Sequence, residues 1–265
     1  MLKFCSLFSG SSGNCIFVGN GETNILIDAG VSGKKIEKAL NEIGESGASL
    51  TGILVTHEHQ DHINGVGILS RRFKIPVYAN EKTWEAIDRE KLLGKMPAEN
   101  RMVVSAGDTV NVGSMRIKSC RISHDAADPV CYTISSEGHK VGIATDMGFV
   151  SDEIRTILRG CELALVEANH DVEMLKAGKY PYQLKRRILS DSGHLSNESA
   201  AELVAMLAKH GTKRFVLGHL SEENNYPKLA YEAVNSVLKI KGFDTEKDIF
   251  LRVAERDCPG DVILL

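Results

Sequence analysis

The sequence predicts an α/β (α+β) chain in which two mixed sheets pack face to face with helices on the outside. Three observations carry this. A β-rich tract followed by a βα-rich tract occurs twice along the 265 residues. No linker, low-complexity segment or short-period repeat separates the halves. Ligand-type residues, His or Asp, recur straight after apolar strands. One domain, 1–265, is the economical expectation, with enough chain to bury a substantial core.

Residues 2–8, 14–19 and 23–28 read as short strands between Gly-rich turns. Residues 32–43 show helical spacing through Ile36, Leu40 and Ile43. The apolar strand 52–56 follows, then a window rich in histidine. Residues 63–72 read as helix, 75–79 as strand and 81–93 as helix. The second β-rich tract covers about 101–145, with strand cores at 115–122, 130–135 and 140–144. From there the pattern alternates. Helix 150–158 precedes strand 163–166, helices 181–189 and 197–209 precede strand 214–217, and helix 226–241 precedes a terminal strand, 249–253.

The net charge of −3 gives no global basic field, so a nucleic-acid substrate would need a local basic patch and metal ions for its phosphates. The apolar start is too short for a signal peptide, and no later run reaches the roughly 18 apolar residues of a membrane span. Six cysteines, at 5, 15, 120, 131, 161 and 258, form no CxxC pair. They are expected to be reduced, mostly buried thiols of a cytoplasmic protein without membrane contact.

The window His57-Glu58-His59-Gln60-Asp61-His62 holds three of the nine histidines. It follows the strand Gly52-Ile53-Leu54-Val55-Thr56. Neutral imidazoles and carboxylates suit zinc and its neighbours in the divalent series. The same grammar recurs: His124 after 117–123, Asp146 after 141–145, His219 after 215–218. A lone histidine after a strand is usually a turn residue. Several in register along one sheet edge point to a shared metal site.

These motifs, with Asp28 in Ile25-Leu26-Ile27-Asp28-Ala29-Gly30, resemble in order those of the metallo-β-lactamase superfamily, over nearly the whole chain. The resemblance implies a four-layer αββα sandwich with a dinuclear metal centre. Carried over by position, His57, His59 and His124 would hold one metal and Asp61, His62 and His219 the other. Asp146 would bridge them, and Asp28 would fix the histidine loop from behind. No cysteine matches the metal-binding cysteine of the commonest true β-lactamases. The gap from Asp146 to His219 is too short for the large insertion of β-CASP nucleases, and that from His124 to Asp146 too short for the arm of tRNA-maturing members.

Glu167 in Val166-Glu167-Ala168-Asn169 and His194 in His194-Leu195-Ser196-Asn197-Glu198-Ser199-Ala200-Ala201 resemble motifs of the phosphodiesterase branch. There the Glu orients a His that contacts the scissile phosphate. The plain alternative for His194 is a loop residue before a helix, with Ser196 as N-cap and Glu198 in the first turn. The opening Ser9-Gly10-Ser11-Ser12-Gly13-Asn14-Cys15 adds a likeness to the WalJ/YycJ exonuclease-type subgroup of Gram-positive bacteria. That likeness implies a 5′→3′ DNA exonuclease linked to DNA repair, working through a hydroxide that bridges two divalent ions. Zinc is the first expectation for the ions, with manganese or iron as alternatives.

The resemblance, together with phosphodiester chemistry, implies further roles. Asp61, His194 and Glu167 are the candidate catalytic residues, Asp61 by orienting the nucleophile and His194 by giving a proton to the leaving alkoxide. Ser11, Ser12 and Asn14 could cup a phosphate, although an ordinary strand-connecting turn explains them as well. Lys185, Arg186 and Arg187, near Lys179, Tyr180 and Tyr182, form a candidate strand-binding lip, with a solvated helix face as the alternative. Arg71, Arg72 and Lys74 are a weaker second cluster. His170 and Asp171 are placed near the cavity, and His139 and His210 on the surface. The expected partner is nucleic acid, DNA before RNA. The competing readings are an RNA-processing or small-molecule phosphodiesterase, an acyl hydrolase of the lactonase or glyoxalase II kind, and a non-catalytic metal-bound regulator.

Overall fold

A computed structural model describes residues 1–265. In chain order its strands are β1 (Lys3–Phe8), β2 (Cys15–Gly19), β3 (Asn24–Ile27), β4 (Gly52–Leu54), β5 (Val77–Ala79), β6 (Arg101–Val103), β7 (Thr109–Val112), β8 (Met115–Arg121), β9 (Val130–Ser136), β10 (His139–Ala144), β11 (Leu163–Glu167), β12 (Arg214–Gly218), β13 (Phe250–Val253) and β14 (Ile263–Leu264). The helices are α1 (Gly33–Glu42), α2 (Gln60–Ile63), α3 (Val66–Phe73), α4 (Glu81–Glu90), α5 (Asp152–Leu158), α6 (Val172–Ala177), α7 (Tyr182–Ile188), α8 (Asn197–Lys209) and α9 (Pro227–Ile240).

The strands form two seven-stranded sheets, in the orders β14-β1-β2-β3-β4-β5-β6 and β13-β12-β11-β10-β9-β8-β7. Each begins as an antiparallel meander, β1–β3 or β7–β10, and continues as a parallel run, β3–β6 or β10–β13. The doubled tracts of the sequence are these two sheets. One core lies between them, with Phe4, Ile16 and Ile27 facing Ile117, Tyr132 and Leu165. A second packs the other face of the first sheet against α1, α3 and α4 through residues such as Leu7, Ile36, Leu69 and Trp84. A third packs the second sheet against α5, α8 and α9 through Ala144, Ile154, Val204 and Val234. The order of layers is αββα.

The period-2 alternation explains why each sheet has two apolar faces. In β1, Phe4 enters the inter-sheet core while its neighbour Cys5 enters the helix-side core. The helices start where short polar side chains cap them. Ser32, Asn80, Ser151, Asp171 and Ser196 each accept a backbone N–H of the first turn. Ser196 and Glu198 open α8 as the sequence predicts.

Three features differ from the sequence reading. The helix expected over 63–72 begins only at Val66, as α3, and a separate helical turn, α2, forms within the histidine window, the two broken at Asn64-Gly65. Gly65 donates to Ala29 O at 2.7 Å, and a Cβ there would stand 2.4 Å from Val31 O. The break is therefore where the segment after β3 docks. The six-residue α6 was not foreseen, being too short to show a period. The chain also continues past β13, returning as β14 beside β1.

Strand direction positions the site. β1 runs parallel to β3 because both are antiparallel to β2, and β8 runs with β10 because both are antiparallel to β9. The C-terminal ends of β1, β3 and β4 thus share one edge of the first sheet, and those of β8, β10, β11 and β12 one edge of the second. Residues just past those ends meet at the mouth between the sheets, where α/β proteins commonly bind ligands. Tyr132 ties the seam together. Its buried hydroxyl donates to Val55 O at 2.8 Å, and Val130 N–H donates to Thr56 O at 3.0 Å.

Candidate metal centre

Seven strand-end residues converge here: Asp28 after β3, His57 after β4, His124 after β8, Asp146 after β10, Glu167 ending β11, His219 after β12, and Ser9 after β1. Asp28, Asp146 and His219 have left-handed backbones, with φ of 59°, 61° and 56°. Such conformations cost of order 1–3 kcal/mol each in non-glycine residues and cluster at functional sites. They turn each chain sharply off its strand, so the side chain faces the mouth.

The histidine window folds as a turn. His59 occupies the N-cap position of α2, and His62 N–H donates to His59 O at 2.9 Å. The segment Asp28-Ala29-Gly30 holds this turn by backbone bonds, Ala29 N–H donating to His62 O at 2.8 Å. At Gly30 a Cβ would lie 1.7 Å from Asp61 O, so only glycine permits this approach.

Each buried imidazole has one nitrogen anchored. His57 Nδ1 bonds Thr56 Oγ1 at 2.9 Å, and that hydroxyl donates to Asp28 Oδ2 at 2.8 Å. His62 Nδ1 donates to Asp28 Oδ2 at 2.7 Å, and His124 Nδ1 donates to Gly193 O at 3.1 Å. His219 Nδ1 donates to Glu167 Oε1 at 2.9 Å. The Nε2 atoms are left facing inward. His59 turns the opposite nitrogen in, placing Nδ1 3.3 Å from His124 Nε2.

Asp146 stands in the middle. Its Oδ2 is 3.3 Å from His62 Nε2, and its Oδ1 is 3.5 Å from His219 Nε2 and 3.8 Å from His124 Nε2. Asp61 Oδ2 is 3.4 Å from His62 Nε2 and 3.6 Å from His219 Nε2. Four overlapping donor groups result, His57/His59/His124, Asp61/His62/His219, His57/His62/Asp146 and Asp146/Glu167/His194/His219.

The residues fit divalent cations. His57 Nε2, Asp146 Oδ2 and His219 Nε2 are buried and have no hydrogen-bond partner. Buried polar atoms are rarely left so. The protonation pattern agrees. Although burial opposes it, the carboxylates of Asp146, Asp61 and Asp28 raise His62 well above the usual histidine range. His219 is likewise raised to about 10, against burial, by Asp146, Asp61 and Glu167. Burial, together with neighbouring imidazoles, pushes His57 well below that range. Burial also opposes ionisation of Asp61, but His62 and His219 hold it well below the carboxylate range. Protons on His62 and His219 here balance carboxylates that cations would otherwise balance.

Glu167 joins the cluster to His194. Its Oε1 accepts His194 Nδ1 at 2.8 Å as well as His219 Nδ1, while Oε2 accepts Met147 N–H at 2.7 Å and Leu195 N–H at 3.3 Å. Despite burial, the two imidazoles keep Glu167 ionised, below its usual range. The His194 ring lies between those of His124 and His219, with centroids 5.0 and 5.3 Å away. The His194 side chain is 16% exposed and that of Asp61 27%, against 2% or less for His57, His62, His124, Asp146 and His219. The centre therefore opens to solvent on the side of His194 and Asp61.

The expected substrate contacts divide. Ser11 and Ser12 are exposed on the loop beside the cluster. Asn14 is buried, and its amide is spent on Gly10, lies 3.1 Å from His62 Nε2 and braces the Asp61 turn. Lys185 Nζ donates to Lys176 O and Gly178 O at the end of α6. Arg187 pairs with Asp125, beside His124. Arg186 is exposed and lies over the Tyr182 ring at 5.9 Å. Arg71 donates to Leu93 O and Arg72 pairs with Glu37, both within the fold. His139 pairs with Glu162 at the surface, and His210 is exposed. His170 is 1% exposed with neither ring nitrogen bonded.

Three supporting residues carry no sequence signal of their own. Ser9 Oγ accepts His219 N–H at 2.8 Å, Asn169 Nδ2 donates to His219 O at 2.9 Å, and Thr56 relays Asp28 to His57. Serine and glycine in the opening loop suggest a turn, and only the meeting of β1 with β12 gives Ser9 its partner.

A family profile described as "Beta-lactamase superfamily domain" matches residues 23–220. Exodeoxyribonuclease YycJ of Bacillus anthracis is 45% identical over 242 residues, covering 91% of both chains. Exodeoxyribonuclease WalJ of Streptococcus pneumoniae is 45% identical over 229 residues, covering 86% of this chain and 85% of its own. In fold the chain is similar to the crystal structure of the metallo-beta-lactamase fold protein YhfI from Bacillus subtilis, with a TM-score of 0.73, 15% identity and 98% of each chain covered.

Proposed function

The chain belongs to the beta-lactamase superfamily, and from that premise we propose that it is a metal-dependent exodeoxyribonuclease, acting 5′→3′ in DNA repair through the His/Asp cluster. The observation that carries the phosphodiester reading is the Glu167 carboxylate, which anchors His219 inside the cluster and His194 at its open side. Acyl hydrolysis does not call for that pair.

His57, His59 and His124 would hold one divalent ion, Asp61, His62 and His219 a second, and Asp146 would serve both. Histidine-rich sites with carboxylates suit zinc first, with manganese or iron as alternatives. Bound there, such ions neutralise phosphate charge and acidify a water for attack. Asp28 and Thr56 hold the His57 and His62 tautomers. Asp61, partly exposed, orients the attacking water through its carboxylate. His194, its Nδ1 bound to Glu167, offers Nε2 to the phosphate and gives a proton to the leaving oxygen. Ser11 and Ser12 donate hydroxyls to the phosphate, and Arg186 with Tyr182 contacts the strand beyond it.

His194→Ala tests this reading. DNA hydrolysis should fall by about 10²–10⁴-fold, the usual worth of a general acid. Metal content, read by mass spectrometry of the metal, should stay unchanged. Loss of metal would make His194 a ligand and overturn its assigned role.

A further inference from the structure

Away from the cluster, Cys120 in β8 lies directly opposite Cys131 in β9. Ile122 N–H donates to Pro129 O at 3.0 Å, whereas Val130 N–H turns away to Thr56. Two residues along from the 122/129 pair, 120/131 is therefore a hydrogen-bonded pair, with Cα atoms about 5.5 Å apart. That separation sits at the centre of the range disulfides span. Directly opposite residues project to the same face, so the two thiols are neighbours on the outer side of the sheet, with the Cys120 S–H donating to Arg121 O at 3.5 Å.

The pair is not sealed in the core. Cys120 is half-buried and lines a cavity of about 620 Å³ outside β8–β10, which Lys118, Thr133 and Glu153 also line. Cys131 is 1% exposed and lies behind it. The neighbouring Cys131 thiol, opposed by burial and Glu153 and aided by Lys118, holds the Cys120 thiol below the usual thiol range. The Cys120 neighbour, with burial, pushes Cys131 well above it. One sulfur is thus accessible and thiolate-prone, and its resolving partner stands directly opposite on the same face.

We propose that Cys120 and Cys131 are an oxidation site, at which hydrogen peroxide entering this cavity converts the dithiol into a disulfide joining β8 to β9. The Cys120 thiolate attacks one peroxide oxygen and the O–O bond breaks. Cys120 becomes a sulfenic acid, and the departing hydroxide takes up the thiol's proton as water. The Cys131 sulfur then attacks the sulfenic sulfur, the S–O bond breaks, and that hydroxide leaves with the Cys131 proton as a second water. Two thiols are oxidised and one peroxide is reduced. The new bond closes a ring over 120–131, enclosing His124 and the Asp125 partner of Arg187. It pins the base of the loop on which one corner of the metal centre stands.

The test is peptide mapping of the purified chain after dilute hydrogen peroxide and alkylation. The expected product has lost about two mass units. Its Cys120 and Cys131 peptides are cross-linked, dithiothreitol restores both, and the melting temperature rises before reduction. Cys120→Ser and Cys131→Ala should each abolish the cross-link. A Cys120 carried to sulfinic acid while Cys131 stays alkylatable would overturn the proposal, as would oxidation confined to the exposed Cys258.

Discussion

Each buried imidazole of the cluster has one nitrogen committed before any cation arrives. Asp28, Thr56, Gly193 and Glu167 take the Nδ1 side, which leaves the inward nitrogens as lone-pair donors. His62 and His219 are the exceptions in charge, because the carboxylates around them retain protons on both. A cation must displace those protons. With the His219 value raised to about 10, affinity for Zn²⁺ should climb as pH rises from 6 toward 9, with net proton release. Calorimetry in buffers of different ionisation enthalpy reads that release, and a pH-independent affinity would contradict the assignment. In the metal-free protein the sign for stability is opposite. A raised folded-state value means that His219 supports the fold fully below its ordinary 6.5 and loses that support as pH climbs through about 10.

Elements matter here through direction. The C-terminal ends of β3, β4, β8, β10, β11 and β12 share one mouth because the sheets are parallel in their second halves, and the antiparallel meanders return β1 and β8 to the same edge. Tyr132 locks the seam where the two sheets meet, so Tyr132→Phe, which leaves Val55 O unpaired in the core, should cost about 1–3 kcal/mol in chemical denaturation. On α7, Lys185 and Arg187 are tied into the fold, and Arg186 is the cation turned to solvent. Arg186→Glu should weaken cleavage of polynucleotide several-fold while sparing a small chromogenic phosphodiester, and equal effects on both would remove α7 from strand binding. The strand-then-ligand grammar was legible because apolar runs end abruptly at His or Asp. What stayed hidden depends on contacts distant in sequence. Asn14 reads as a phosphate cup and is a buried brace, and Lys185 reads as part of a basic lip and caps α6. Ser9 meets His219 across 210 residues. The helix break at Gly65 also follows from docking, since nothing local forbids a continuous turn there.

As a whole molecule the chain is two similar sheet-and-helix halves whose facing edges together build one centre. Neither half suffices: Asp28, His57, His59, Asp61 and His62 come from the first, and His124, Asp146, Glu167, His194 and His219 from the second. No helix is long and apolar enough to cross a membrane. With a net charge of −3, no net positive field draws the chain to DNA, and a local positive field at the site would come from divalent cations held by the cluster together with Arg186. The most direct measurement follows hydrolysis of DNA and RNA, labelled at either end, by protein stripped with chelator and reloaded with Zn²⁺ or Mn²⁺. The account predicts no hydrolysis without metal. With metal restored, it predicts stepwise release of nucleotides from the 5′ end of DNA in preference to RNA. Hydrolysis that persists without metal, or a fully reloaded protein that leaves DNA untouched, would contradict it.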